Sequence, residues 1–102
     1  MNVNNCNLAG LVESDIKLSV KKDVCDFFLR VRRDRKDKDI YDLIQCSIYG
    51  KKAIEFVSKI KKGDCIYVFG SYRSKNIIIN GNYEKNDFPH FHVANFEYCK
   101  KN

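Results

Sequence analysis

The chain has 102 residues, enough for one compact domain and too few for two with separate cores, so a single domain over residues 1–102 is expected. Hydrophobic residues make up 44% and charged residues 31%, an ordinary balance for a folded soluble protein, and no apolar run approaches the roughly 18 residues that a membrane helix needs. The formal charge of +6 favours a polyanionic partner, because neutralising phosphates releases counterions and gives affinity independent of sequence.

Met1-Asn2-Val3-Asn4-Asn5 has neither a charged leader nor an apolar core, so no signal peptide is expected and the chain is assigned to the cytoplasm. Asn4 to Val12 reads as a first strand with Cys6, Leu8 and Gly10 on one face, broken by Glu13-Ser14-Asp15. From Cys25 to Arg32 the alternation is clean. Cys25, Phe27, Leu29 and Val31 face one way, and Asp26, Phe28, Arg30 and Arg32 the other, so the outer face is basic with an aromatic among its charges. Arg33 to Asp39 is a run of seven charged residues summing to +1, a solvated loop before the third strand.

Tyr41 to Tyr49 predicts the third strand, with Asp42, Ile44, Cys46 and Ile48 on the core face and Tyr41, Leu43, Gln45, Ser47 and Tyr49 outside. Gly50 ends it. Ala53, Phe56, Val57 and Ile60 then recur at helical spacing over about ten residues, with Gly63 as the expected C-terminal cap. Lys51 and Lys52 fall in the first helical turn, where cations oppose the macrodipole and suit an external anion. Lys59, Lys61 and Lys62 complement the other end.

In the fourth strand Ile66, Val68, Gly70 and Tyr72 oppose Cys65, Tyr67, Phe69, Ser71 and Arg73. Asn76 to Asn80 is β-branched enough to extend that strand, Asn80-Gly81-Asn82 signals a hairpin, and Tyr83 to Phe88 would return as a ribbon arm. Pro89 closes the excursion and His90 to Tyr98 forms the last strand. The fold class is therefore all-β. It is a five-stranded OB-fold barrel with one short helix between strands 3 and 4 and a ribbon arm between strands 4 and 5.

The five cysteines, Cys6, Cys25, Cys46, Cys65 and Cys99, show no C-x-x-C spacing and are expected to act as small apolar residues in a reducing compartment. His90 and His92 share a strand face as metal ligands can, but the sequence near them offers no third ligand. No phosphate-binding G-x-x-x-x-G-K-[ST] loop, G-x-S-x-G or H-E-x-x-H is present. No metal, no cofactor and no catalysis are expected.

Four blocks in order resemble the bacterial and phage single-stranded DNA-binding protein family. Asn4-x-Cys6-x-Leu8-x-Gly10-x-Val12 is similar to its opening strand and Phe27-x-Leu29-x-Val31-x-Arg33 to its second. Asp42-x-Ile44-x-Cys46 through Tyr49-Gly50-Lys51-x-Ala53-x-Glu55 is similar to its third block, and Lys62-Gly63-Asp64-x-Ile66-x-Val68-x-Gly70-x-Tyr72 to its fourth. The chain has no Trp: Leu43 and Ile77 stand where the family usually has large aromatics, and Tyr49 is the one direct match to a stacking position. The sequence stops at Cys99-Lys100-Lys101-Asn102 without the family's Gly-rich linker and acidic tail, which suggests a mobile-element or accessory version.

The resemblance implies sequence-tolerant binding of single-stranded DNA in replication, recombination or DNA transfer, with rings for bases to stack on and cations for phosphates. Phe28, Tyr41, Tyr49, Tyr67, Tyr83 and Phe88 are the candidate rings, and Arg30, Arg32, Arg33, Arg35, Lys36, Lys52, Arg73 and Lys75 the candidate cations. RNA is a further candidate ligand, since stacking alone does not separate the two sugars. A homotetramer or dimer is implied by the family. The alternative is an OB-fold adaptor that contacts a polymerase, primase or helicase and has weak DNA affinity of its own.

Overall fold

The computed structural model describes residues 3–21, 23–34, 36 and 39–99. Its elements are β1 (Cys6–Val12), β2 (Val24–Arg32), β3 (Tyr41–Tyr49), α1 (Lys51–Lys59), β4 (Cys65–Arg73), β5 (Asn76–Ile79), β6 (Asn82–Lys85) and β7 (His90–Tyr98). Five strands close into a barrel in the order β1-β2-β3-β7-β4, while β5 and β6 form a separate two-stranded ribbon. The β3–β7 pair is parallel and the other barrel pairs are antiparallel. With α1 between β3 and β4, this is the OB arrangement expected from the sequence.

Period-two alternation decides what enters the barrel. Cys25, Phe27 and Leu29 of β2, Cys46 and Ile48 of β3, Ile66 and Val68 of β4, and Phe91 and Val93 of β7 are all buried. Helix α1 adds Ala53 and Phe56, and Ile60 follows at its end. Phe56 stacks on Phe27 with ring centroids 4.6 Å apart and meets Phe96 edge-on at 4.9 Å, which ties the helix to the barrel strands.

Several local expectations are corrected. The first strand begins at Cys6 rather than Asn4, because the Asn4 side-chain amide substitutes for a strand partner. Its Nδ2 donates to Tyr72 O at 2.8 Å and its Oδ1 accepts from Tyr72 N at 3.0 Å. Gly63 is not the helix cap. Ile60 ends α1 in extended conformation with its N–H on Phe56 O. Gly63, at φ 94°, belongs to the following turn, in which Asp64 N donates to Lys61 O at 3.0 Å.

The ribbon is a separate hairpin and not a continuation of β4, and its return strand ends at Lys85 instead of reaching Phe88. Asn86 explains the break. Its N–H donates to Lys75 O and its side-chain amide to Ser74 O at 2.9 Å, clasping the base of the hairpin and turning the chain toward β7. Ser47, on the outer face by parity, is nevertheless fully buried between Asp26 of β2 and His92 of β7, and its hydroxyl donates to Asp26 Oδ1.

Candidate nucleic-acid interface

The β2–β3 register sets the first part of the site. It places Phe28 opposite Gln45, Arg30 opposite Leu43 and Arg32 opposite Tyr41, all on the outer face. The Arg30 guanidinium carbon lies 4.8 Å from the Tyr41 ring centroid and that of Arg32 lies 5.9 Å away, both within cation–π range. Arg30 Nε is 3.5 Å from a Glu13 carboxylate oxygen, an ionic contact without a hydrogen bond. Across from these groups, β1 contributes Ala9, Gly10 and Leu11 to a hollow of about 340 Å³ that Arg30, Arg32, Tyr41 and Cys65 also line.

A second part forms where β3, β7 and β4 meet. The register pairs Ser47 with His92, His92 with Ser71, and His90 with Arg73, so both histidines share a face with Tyr49. Tyr49 and His92 stack at 5.2 Å with 25° between ring planes. Together with Arg73, Asn86 and His90 they line a hollow of about 380 Å³. The His90 ring is held by Nδ1, 2.8 Å from Phe88 O, and lies 4.6 Å from the Phe88 ring. If Nδ1 donates this bond, Nε2 is a bare acceptor, and it is buried without a partner among the described residues.

A third hollow of about 390 Å³, lined by Asp42, Leu43, Ile44, Gln45, Tyr72, Pro89 and His90, lies between these two parts. It shares His90 with the second and reaches the first through Leu43, the cross-strand neighbour of Arg30. The result is a band of concavities from β1 and β2 across β3 to β7 and β4. Its rings can take stacked bases and its arginines phosphates.

The other candidates divide. Arg33 closes a two-pronged ion pair on Asp42, with Nη2–Oδ1 at 2.8 Å and Nε–Oδ2 at 3.3 Å. That hydrogen-bonded pairing raises the guanidinium's pKa and lowers the carboxylate's. Lys36 is exposed in the β2–β3 loop, and Arg35 lies outside the described residues. Lys52 reaches Asn95 Oδ1 at 3.2 Å and lines none of the three hollows. Tyr67 stands on β4 between Ala9 and Glu97, beside the arginine-lined hollow through Ala9 but not among its lining residues. Lys75 lies at the base of the ribbon, just before β5, and Tyr83 on β6, where it is 89% exposed. Phe88 lies in the connection to β7, supporting His90.

His90, His92 and Asn86 are not among the nucleic-acid candidates that the sequence offers, which shows the two histidines only as a pair with metal-ligand spacing. Alternation along β7 already opposed the two histidines to Phe91 and Val93. Only the parallel β3–β7 pairing brings them to Tyr49.

Burial, then the positive charge of Arg73 and of His90, lower the His92 pKa below its ordinary value. The unfolded chain therefore takes up that proton first. Stability from a neutral His92 is present above about pH 6.5 and is lost as pH falls through the folded-state value. Thermal midpoints measured from about pH 7.5 to about pH 5.5 should decline, and the decline should be smaller in His92→Phe. An identical decline in the two proteins would remove this role from His92.

The family model described as single-strand binding protein family matches residues 3–95. No curated protein matches the chain.

Proposed function

Because the chain belongs to the single-strand binding protein family, whose fold is the OB barrel and whose members bind single-stranded DNA, we propose that the outer band is where the strand lies. Bases stack on Tyr49 and His92, while Arg30, Arg32 and Arg73 hold phosphates on either side. The observation that carries the reading is the succession of three hollows, the arginine-lined one linked to the middle one by the Arg30–Leu43 register and the middle one sharing His90 with the aromatic one. Binding of this kind tolerates any base, because every base has a π-face. It suits a non-enzymatic, cytoplasmic protein that covers unwound DNA during replication, recombination or transfer, working as a homo-oligomer.

Leu43 keeps a place in this scheme without being a platform. It is 60% exposed between the two ends and gives bases an apolar floor. Lys75 at the base of the ribbon and Tyr83 on it add a flanking cation and ring.

With six tyrosines and no tryptophan, intrinsic fluorescence reports binding through tyrosine alone. Titration with oligo-dT should quench it, with affinity falling steeply as salt rises. Tyr49→Ala should weaken binding about tenfold or more, the loss expected of one stacked base. Unchanged affinity in Tyr49→Ala would move the stacking site elsewhere, and failure of the parent protein to bind any single strand would overturn the reading.

A further inference from the structure

We propose that Cys65 and Cys99 form an oxidative modification site, at which a peroxide converts two thiols into a disulfide that fastens the end of the last barrel strand to β4. The strand ladder makes the pair. Ile66 faces Tyr98 in the antiparallel β4–β7 register, and one step further Cys99 N donates to Cys65 O at 3.0 Å. Hydrogen-bonded antiparallel neighbours have Cα atoms about 5.5 Å apart, inside the range of about 4.4–6.8 Å that disulfides span. The two sulfurs accordingly meet at 2.6 Å.

The other three cysteines do not share this arrangement. Cys25 and Cys46 are fully buried in the barrel, where burial pushes their thiols up to about 11 and about 12. Both are protonated and shielded, which makes them internal controls. Cys6 pairs with Gly70 at the opposite end of the β1–β4 ladder from Cys65, which pairs with Leu11.

Exposure sets the order of events. Cys65 is exposed at the start of β4, whereas Cys99 is half-buried with its thiol pushed up to about 11, chiefly by burial. The Cys65 thiolate attacks one peroxide oxygen, the O–O bond breaks, and Cys65 becomes a sulfenic acid as hydroxide leaves. The Cys99 sulfur then attacks the Cys65 sulfur. The S–S bond forms, the S–O bond breaks, and the Cys99 proton and the proton released from Cys65 convert the two departing oxygens to water. Two electrons pass from the thiols to the peroxide. In a reducing cytosol the pair rests as a dithiol and closes only under oxidative load.

The experiment treats the whole protein with hydrogen peroxide, blocks free thiols and maps peptides by mass spectrometry without reductant. One intramolecular Cys65–Cys99 link should appear, with Cys25 and Cys46 still reduced, and reductant should reverse it. The oxidised protein should melt roughly 10 °C higher, the size expected when a loop of this kind is closed. Cys65→Ser and Cys99→Ser should each abolish both the link and the shift. Peroxide that leaves Cys65 and Cys99 unlinked, or links Cys65 to a second chain, would overturn the proposal, as would a link that leaves the melting temperature unchanged.

Discussion

Gly70→Ala should destabilise the barrel by about 3 kcal/mol, among the larger costs a single methyl group can impose on a well-packed core. A Cβ at Gly70 would fall 1.8 Å from His92 O and 3.2 Å from Ala94 N, so the added carbon meets backbone and not a side chain that can swing aside. The site is where β4 and β7 close the barrel. Phe69 pairs with Asn95 and Gly70 with Val93, so Ala94 is the extra residue of a bulge that bends β7 against β4. Relief requires the two strands to part, and the carbonyl that must move first belongs to His92, whose ring stacks on Tyr49. The expected result is a fall in thermal midpoint of roughly 12–20 °C, with single-strand affinity reduced even at temperatures where the variant remains folded. A variant melting within a few degrees of the parent would show that β7 yields easily at the bulge. His92→Ala, which leaves the backbone untouched, separates the two effects: it should lower affinity with little change in melting.

This coupling explains what could and could not be read from the chain. Alternation in Cys25–Arg32 and Tyr41–Tyr49, and helical spacing in Ala53, Phe56 and Ile60, are local properties, and they fixed the elements nearly to the residue. Asn80 and Gly81 were equally legible: consecutive positive φ angles of 51° and 82° are what the hairpin turn requires. The errors arose where a side chain replaced a backbone partner. Asn4 stands in for a strand residue, Asn86 clasps the hairpin base, and Asp26 accepts from the buried Ser47 hydroxyl. None of these bonds has a periodic trace. The aromatic end of the site was hidden for a different reason, since Tyr49 and His92 meet across the one parallel pairing and are 43 residues apart. The arginine end lies across a single β2–β3 hairpin and was visible from alternation alone.

That arginine end carries the second large prediction. Replacing Arg30 and Arg32 together by Ala should weaken binding to oligo-dT about a hundredfold at low salt, because two charge-assisted contacts contribute about 1.5 kcal/mol or more each. The slope of log affinity against log salt should shrink by roughly 1.4, the value for two phosphates released from a single strand. Folding should be nearly unaffected. Among the described residues Arg30's one ionic partner is Glu13, both side chains are more than a third exposed, and such a surface pair contributes about 0–1 kcal/mol. Arg33→Ala provides the contrast, since its guanidinium is already occupied on both prongs by Asp42 and has little left for a phosphate. It should lower affinity far less than either neighbouring arginine does alone. If Arg33→Ala matched the double variant, or if the double variant kept the parental salt slope, phosphates would have to be held elsewhere, with Arg73 and Lys75 the next cations to remove. Tyr41 refines the outcome. With both guanidinium groups gone its ring is uncovered, so it becomes a free stacking platform and should recover part of the loss at high salt, where phosphate contacts count least.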